Sequence, residues 1–189
     1  MLPVPGPSPG SRPRSGAVLT LRPMRPDDLP LVTRWLSAPH VAPWYLAGSS
    51  VEEEAEDLRR SVAGEQAVHV LMVAEGEVPE GWCQWYLCGD DSGWAAEIGA
   101  DPADVGIDYA VGDAGRVGRG VGTALITELV HLIRAHQPRV AVMADPDERN
   151  VASRRVLEKN GFELVAVKAI PSEPTDDPMA IYRLAAPPG

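Results

Sequence analysis

Val117-Gly118-Arg119-Gly120-Val121-Gly122-Thr123 is the stretch on which the reading of this chain turns. It separates a strand-like run, residues 105–111, from a segment in which Val121, Leu125, Leu129, Leu132 and Ile133 recur roughly on one helical face. Glycines at a strand-to-helix turn let backbone N–H groups converge on an anion with no Cβ in the way. The partial positive charge of the helix N-terminus adds to them, and together they suit a pyrophosphate. A dinucleotide-binding turn needs G-x-G-x-x-G early in a βαβ unit; here the spacing is G-x-G-x-G and the turn follows four strands. A Walker A loop needs Gly-Lys-Ser/Thr, which is absent. Taken alone, the stretch also reads as a plain glycine-rich loop.

Outward from this turn, the chain alternates strands and helices. Upstream, residues 17–22 read as a strand, and Pro26-Asp27-Asp28 opens a helix with Leu29, Val32, Trp35 and Leu36 at helical spacing. A Pro- and aromatic-rich loop, 40–45, precedes an acid-initiated helix over 51–63. Strands at 67–74 and 81–88 flank a hairpin connection, 75–80, and a long loop is expected over 89–103. Downstream of the glycine helix (121–135) come a strand at 139–144, a helix at 151–159 stopped by Asn160-Gly161, and strands at 162–167 and 179–184. The order predicts an α/β fold: one domain, 17–185, with a mixed sheet and helices on its faces. Residues 1–16, rich in Pro, Gly and Ser and without an apolar h-region, read as a disordered leader, and 186–189 as a tail.

Composition narrows the partners. The 189 residues are 44% hydrophobic with a net charge of −10, which argues against nucleic acid or an anionic membrane, because both need a basic surface. Cys83 and Cys88 lie an odd offset apart along one expected strand, so they face opposite ways and cannot bridge. Nothing implies a secreted compartment, and a cytoplasmic location follows by default. His40, His69, His131 and His136 pair with no cysteine at ligand spacing, so no metal is expected.

Thirty residues beyond the glycines stands Asn150-Val-Ala-Ser153-Arg-Arg-Val-Leu157-Glu-Lys159-Asn-Gly161-Phe162. The pair, in this order, resembles motifs A and B of the GCN5-related N-acetyltransferase (GNAT) superfamily. The resemblance spans Val18 to Leu184 and implies a splayed mixed sheet with acetyl-CoA, the cosubstrate, seated between two central strands. It implies that the backbone of Val117, Gly118, Arg119, Gly120, Val121, Gly122 and Thr123 binds the pyrophosphate, and that Asn150 and Ser153 contact the pantetheine arm. Two positions depart from the pattern. Val117 stands where Arg or Gln is usual, leaving the backbone donors. Leu157 stands where many relatives carry the tyrosine that protonates the departing thiolate, which leaves that role to water or Ser153.

Transfer to an amine leaves an ammonium proton to remove, for which a carboxylate beside the amine, or one acting through water, is suited. Asp108, on the strand before the glycine turn, is the leading candidate, with Glu97 in reserve. Gly106-Ile-Asp108, Asp145-Pro146, Gln84-Trp-Tyr86, the 91–94 loop, His40 to Trp44 and Asp177 together resemble aminoglycoside 6′-N-acetyltransferases of the AAC(6′)-Ib type. The resemblance implies Asp91, Asp108, Asp145 and Asp177 as contacts to a polycationic substrate, with Trp44, Gln84, Tyr86 and Trp94 as walls. Carboxylates lining a cleft raise the local concentration of such a cation. Each Asp alone also reads as a turn or cap residue, Trp35 as core and His40 as structural. A monomer or weak homodimer is expected. The alternatives are acylation of a siderophore hydroxylysine or a protein N-terminus, or a non-catalytic acyl-CoA-binding module.

Overall fold

The structure, a computed structural model, describes residues 19–46 and 48–188. The expected leader and residues 17 and 18 of the first expected strand lie outside them. Seven strands form one sheet: β1 (Leu19–Pro23), β2 (His69–Glu75), β3 (Val78–Leu87), β4 (Val105–Val111), β5 (Val142–Ala144), β6 (Glu163–Lys168) and β7 (Met179–Leu184). Their order is β1-β2-β3-β4-β5-β7-β6, antiparallel throughout except for the parallel pair β4–β5. The helices are α1 (Leu29–Leu36), α2 (Ala42–Tyr45), α3 (Val51–Val62), α4 (Ser92–Ile98), α5 (Val121–His136) and α6 (Val151–Lys159). This is the mixed α/β architecture that the pattern of elements predicts.

Three local expectations are corrected. The loop over 89–103 contains a 3-10 turn, Cys88–Asp91, and the helix α4. Asp91 nucleates that helix, its side chain accepting from the amides of Gly93 (3.1 Å) and Trp94 (3.0 Å), while Trp94, Ala95 and Ile98 bury one face. Seven residues, with Gly93 among them and Gly99 closing them, are too short to show helical periodicity. Residues 40–45 hold the single turn α2, opened by Ala42-Pro43. The β2–β3 connection shrinks to Gly76-Glu77, because Glu75 already pairs with Val78.

The sheet divides the core. On one face α5 and α6 cover Leu71, Cys83, Ile107 and Val142; on the other α1 and α3 cover Val70, Met72 and Trp82, with Trp35 stacked on Trp82 at 6.0 Å. Leu125, Ile126, Leu129 and Ile133 of α5 are completely buried. Each such side chain contributes about 1.5–3 kcal/mol relative to exposure, which fixes α5, and the glycine turn at its start, against the sheet. Cys83 and Cys88 are both free and lie in different core clusters.

β4 is where the sheet opens. It pairs with β3 along its whole length but with β5 only at Val105–Val142 and Gly106–Met143. From Ile107 onward its second edge has no strand partner. Strand alternation sends Ile107, Tyr109 and Val111 toward α5 and Asp108 and Ala110 toward the α1–α3 side. The gap in the sheet therefore communicates with both faces.

Candidate active site

The glycine turn lies at one end of that gap. Gly118 and Gly120 take φ of +74° and +86°, and a Cβ at either would meet no atom within 4 Å, so the space before their amides is open. The turn is held by Val117 and Arg119, whose amides donate to the carbonyls of Ala114 and Arg116. The Gly118 and Gly120 amides find no backbone acceptor among the described residues, and neither do those of Val121, Gly122 and Thr123, the first turn of α5. Gly120 caps α5 without a side chain. A run of unclaimed amides at a helix start, with no side chain in front, fits a pyrophosphate. Val117 contributes no polar group and Arg119 does not line the cavity. Behind the turn, Arg116 donates to Glu80 (2.8 Å) and Glu75 (2.6 Å), pinning it to the β2–β3 hairpin. Sequence patterning gave no sign of this anchor.

Asn150 and Ser153 open α6 beside the cradle. Asn150 caps the helix, its side-chain oxygen accepting from the Ser153 amide at 3.1 Å. The Ser153 hydroxyl lies 2.7 Å from that of Tyr109. Leu157, one turn on, is fully buried in the core. Asn160 ties the two motif helices together, donating to the Thr123 carbonyl and accepting from Thr127.

From the cradle a cavity of about 660 Å³ runs through the sheet to the α1–α3 side. Asp108 lies in it, accepting from the Gln84 amide at 2.9 Å across the β3–β4 pair. Burial raises the Asp108 carboxyl above the usual carboxylate range, opposed by hydrogen bonding from Gln84 and Tyr86. Gly106 makes room for this arrangement, since a Cβ there would overlap the Tyr86 ring. Asp145, just beyond β5, accepts from the Trp94 indole at 3.0 Å; burial, then the nearby Asp108, pushes its pKa up to about 7. Two carboxylates that patterning did not single out complete the wall, Glu54 and Glu173, each raised chiefly by burial and each also by Asp108. Glu54 is carried by α3, which a reciprocal Ser50–Glu53 capping box starts. Its acidic first turn read as macrodipole matching, and Glu173 sits in an aperiodic loop, so neither carried a sequence signal of its own.

Trp44, Gln84, Tyr86, Asp108 and Asp145 share this cavity. Four other expected residues do not. Asp91 is the exposed cap of α4. Trp94 is a buried ring behind the site, its indole bonded to Asp145 and its ring packed against Tyr86. Glu97 accepts from the Ser172 amide (3.0 Å) and hydroxyl (2.6 Å), bracing the β6–β7 connection. Asp177 pairs with Arg149 at the surface. Asp91, Trp94 and Glu97 fall in the segment expected as one long loop, and the helix α4 turns them away; Asp177, between β6 and β7, is engaged by Arg149. His40 lines the cavity, with Nε2 3.0 Å from the Val111 carbonyl oxygen.

The geometry agrees with what the chain is similar to. A family model described as an acetyltransferase (GNAT) domain matches residues 25–169. The aminoglycoside N(6′)-acetyltransferase type 1 of Klebsiella pneumoniae is 30% identical over 160 residues, 82% of this chain and 79% of that protein. The lysine N-acyltransferase MbtK of Mycobacterium tuberculosis is 28% identical over 174 residues, 88% and 77% respectively. The crystal structure of aminoglycoside acetyltransferase AAC(6′)-Ib with coenzyme A and kanamycin superposes with a TM-score of 0.75 at 30% identity, covering 88% of this chain and 94% of that one. Those matches, and a splayed sheet with an open glycine cradle at its gap, place the chain in the acetyltransferase (GNAT) family.

Proposed function

We propose that the chain transfers the acetyl group of acetyl-CoA to the 6′-amine of an aminoglycoside. One observation carries the reading: a single cavity joins an anion cradle to a cup holding Glu54, Asp108, Asp145 and Glu173. The cradle suits a pyrophosphate, and the cup suits a molecule bearing several ammonium groups. The named relatives that act on aminoglycosides, and the kanamycin complex of the similar structure, support the same acceptor. A cytoplasmic location belongs to the proposal, and the two free, buried cysteines are compatible with a reducing compartment. Among the described residues no helix is long and apolar enough to cross a membrane.

Acetyl-CoA, when bound, supplies an acetyl group activated as a thioester. The rest falls to the protein. The amides of Gly118 and of residues 120–123 hold the cosubstrate's anionic end. The open edge of β4 past Gly106 offers backbone N–H groups to the carbonyl that is attacked. Glu54, Asp145 and Glu173 pair with ammonium groups of the acceptor and orient one amine toward Asp108. Asp108 takes a proton from that amine; its raised pKa makes it a stronger base, and the arriving positive charge keeps it ionised until it is needed. Holding two reactants in line accounts for about 7–11 kcal/mol of barrier lowering in favourable cases, and a placed general base for about 10²–10⁴-fold.

The test is release of free coenzyme A, followed with a thiol reagent, from acetyl-CoA plus kanamycin, against an analogue with a 6′-hydroxyl. Release with kanamycin alone is expected. Silence with both, while acetyl-CoA still binds, removes the aminoglycoside and directs attention to lysine acceptors of the kind named for MbtK.

A further inference from the structure

The sulfur that leaves the acetyl group needs a proton, and Leu157, fully buried, cannot give one. The chain has four tyrosines. Tyr182 donates to Glu158 (2.7 Å), accepts from Arg154 (3.1 Å) and does not line the cavity. Tyr45 accepts from the Trp82 indole at 3.2 Å on the α1–α3 side, and Tyr86 stands with Asp108 on that same side. Tyr109 differs from all three. It follows Asp108 on β4 and so faces the opposite side of the sheet, toward α5 and α6. It lines the cavity on the unpaired stretch of β4 that separates Asp108 from the cradle. Its hydroxyl lies 2.7 Å from the Ser153 hydroxyl and 3.2 Å from the Ser153 carbonyl oxygen, to which it donates.

We propose that Tyr109 is the proton donor to the leaving sulfur and that Ser153 positions its hydroxyl; the proposal rests on the acetyl-transfer reading above. The amine nitrogen bonds to the acetyl carbon as the C–S bond breaks, and the electron pair of that bond stays on sulfur. Tyr109 gives its hydroxyl proton to the sulfur, while the proton shed by nitrogen goes to Asp108. Tyr109 regains a proton from water, Asp108 loses one to water, and the sum is amine plus thioester giving amide plus thiol. The base and the acid stand on opposite faces of one strand at consecutive positions, with the gap in the sheet between them. Burial pushes the phenol's pKa up, so the hydroxyl keeps its proton through neutral pH, and the hydrogen bond from Ser153 opposes that rise.

A binding measurement tests this without an acceptor. The thiol of bound coenzyme A is titrated by its thiolate absorbance in the wild-type protein, Tyr109→Phe and Ser153→Ala. Loss of a hydrogen bond to the thiolate raises the thiol pKa in Tyr109→Phe by about one to two units. Ser153→Ala, which keeps the phenol, raises it by less. In Tyr109→Phe the melting temperature stays at the wild-type level, and kcat falls about a hundredfold. An unchanged thiol pKa in a Tyr109→Phe protein that still binds coenzyme A overturns the assignment. If the wild-type protein binds no coenzyme A, the transfer reading fails and takes this one with it. A shifted pKa with no turnover on kanamycin removes only the acceptor.

Discussion

The cradle and the cup are built from opposite materials. The cradle is backbone: contiguous residues 117–123, two of them glycines at positive φ, with no polar side chain turned into the site at Val117 or Arg119. The cup is side chain: Glu54 from α3, Gln84 and Tyr86 from β3, Asp108 from β4, Asp145 from beyond β5 and Glu173 from the β6–β7 connection. A backbone site tolerates the loss of a usual side chain, as at Val117, because its donors belong to the peptide unit. A site of buried carboxylates has no such tolerance. Asp108 adds to the raised pKa of Glu54, Asp145 and Glu173, and each carboxylate is carried by a different element.

The comparison is broken most severely at Asp108. Asp108→Asn keeps the Gln84 contact and the cradle, so acetyl-CoA binds as before while kcat falls by about 10²–10⁴. Steady-state rates beside direct titration of acetyl-CoA check this, and wild-type turnover would move the base elsewhere. Next comes the cradle. Gly120→Ala puts an L-residue at φ +86° with no atom for its Cβ to strike, so the cost is conformational, about 1–2 kcal/mol. About a tenfold rise in KM for acetyl-CoA with little change in the acceptor's KM is expected, and a fall in Tm of a few degrees on a scale of about 2–4 °C per kcal/mol.

A smaller effect separates the two regions by pH. Asp145 has its pKa raised from 3.8 to about 7, so the folded state holds that proton more tightly than the unfolded chain. The corresponding stability is complete below pH 3.8 and is lost as pH rises through 7. Asp145→Asn, with nothing to ionise, is therefore the more stable protein at pH 8, and its advantage shrinks toward pH 5. Denaturant unfolding at the two values measures the crossover. Acceptor affinity runs the other way, since a polycation favours the ionised carboxylate. Wild-type binding strengthens from pH 6 to 7.5, and the Asn variant flattens that rise. The smallest effect is at Asp177, which pairs with Arg149 outside the cavity. Asp177→Asn changes stability by less than about 1 kcal/mol and leaves kcat/KM alone, and a tenfold loss of kcat/KM would return Asp177 to the acceptor site.

Legibility followed the same division. Strand 105–111 and helix 151–159 coincide with β4 and α6, and the glycine turn and the Asn150 cap were readable because their geometry lies in adjacent residues and fixed spacings. Asp91, Trp94 and Glu97 misled because a helix of seven residues, capped by Asp91 itself, redirects a segment that reads as loop, and Asp177 because an ion pair with Arg149 holds it at the surface. Glu54 and Glu173 were illegible as site residues, since a carboxylate in a helix's first turn or a polar loop has a sufficient local explanation.

What the sequence determines by itself is therefore the scaffold and the anion site. Glycine conformational freedom, capping and apolar periodicity are local properties, written where they act. Which carboxylates converge, and that Tyr109 and Asp108 face opposite sides of one gap, was decided only by the tertiary structure. Those relations hold between residues 54, 108, 145, 153 and 173, brought together by the parting of β4 from β5 after two paired residues. Burial then supplies what sequence cannot carry: a carboxylate's pKa depends on the water and charge around it, and here both are set by elements distant in the chain.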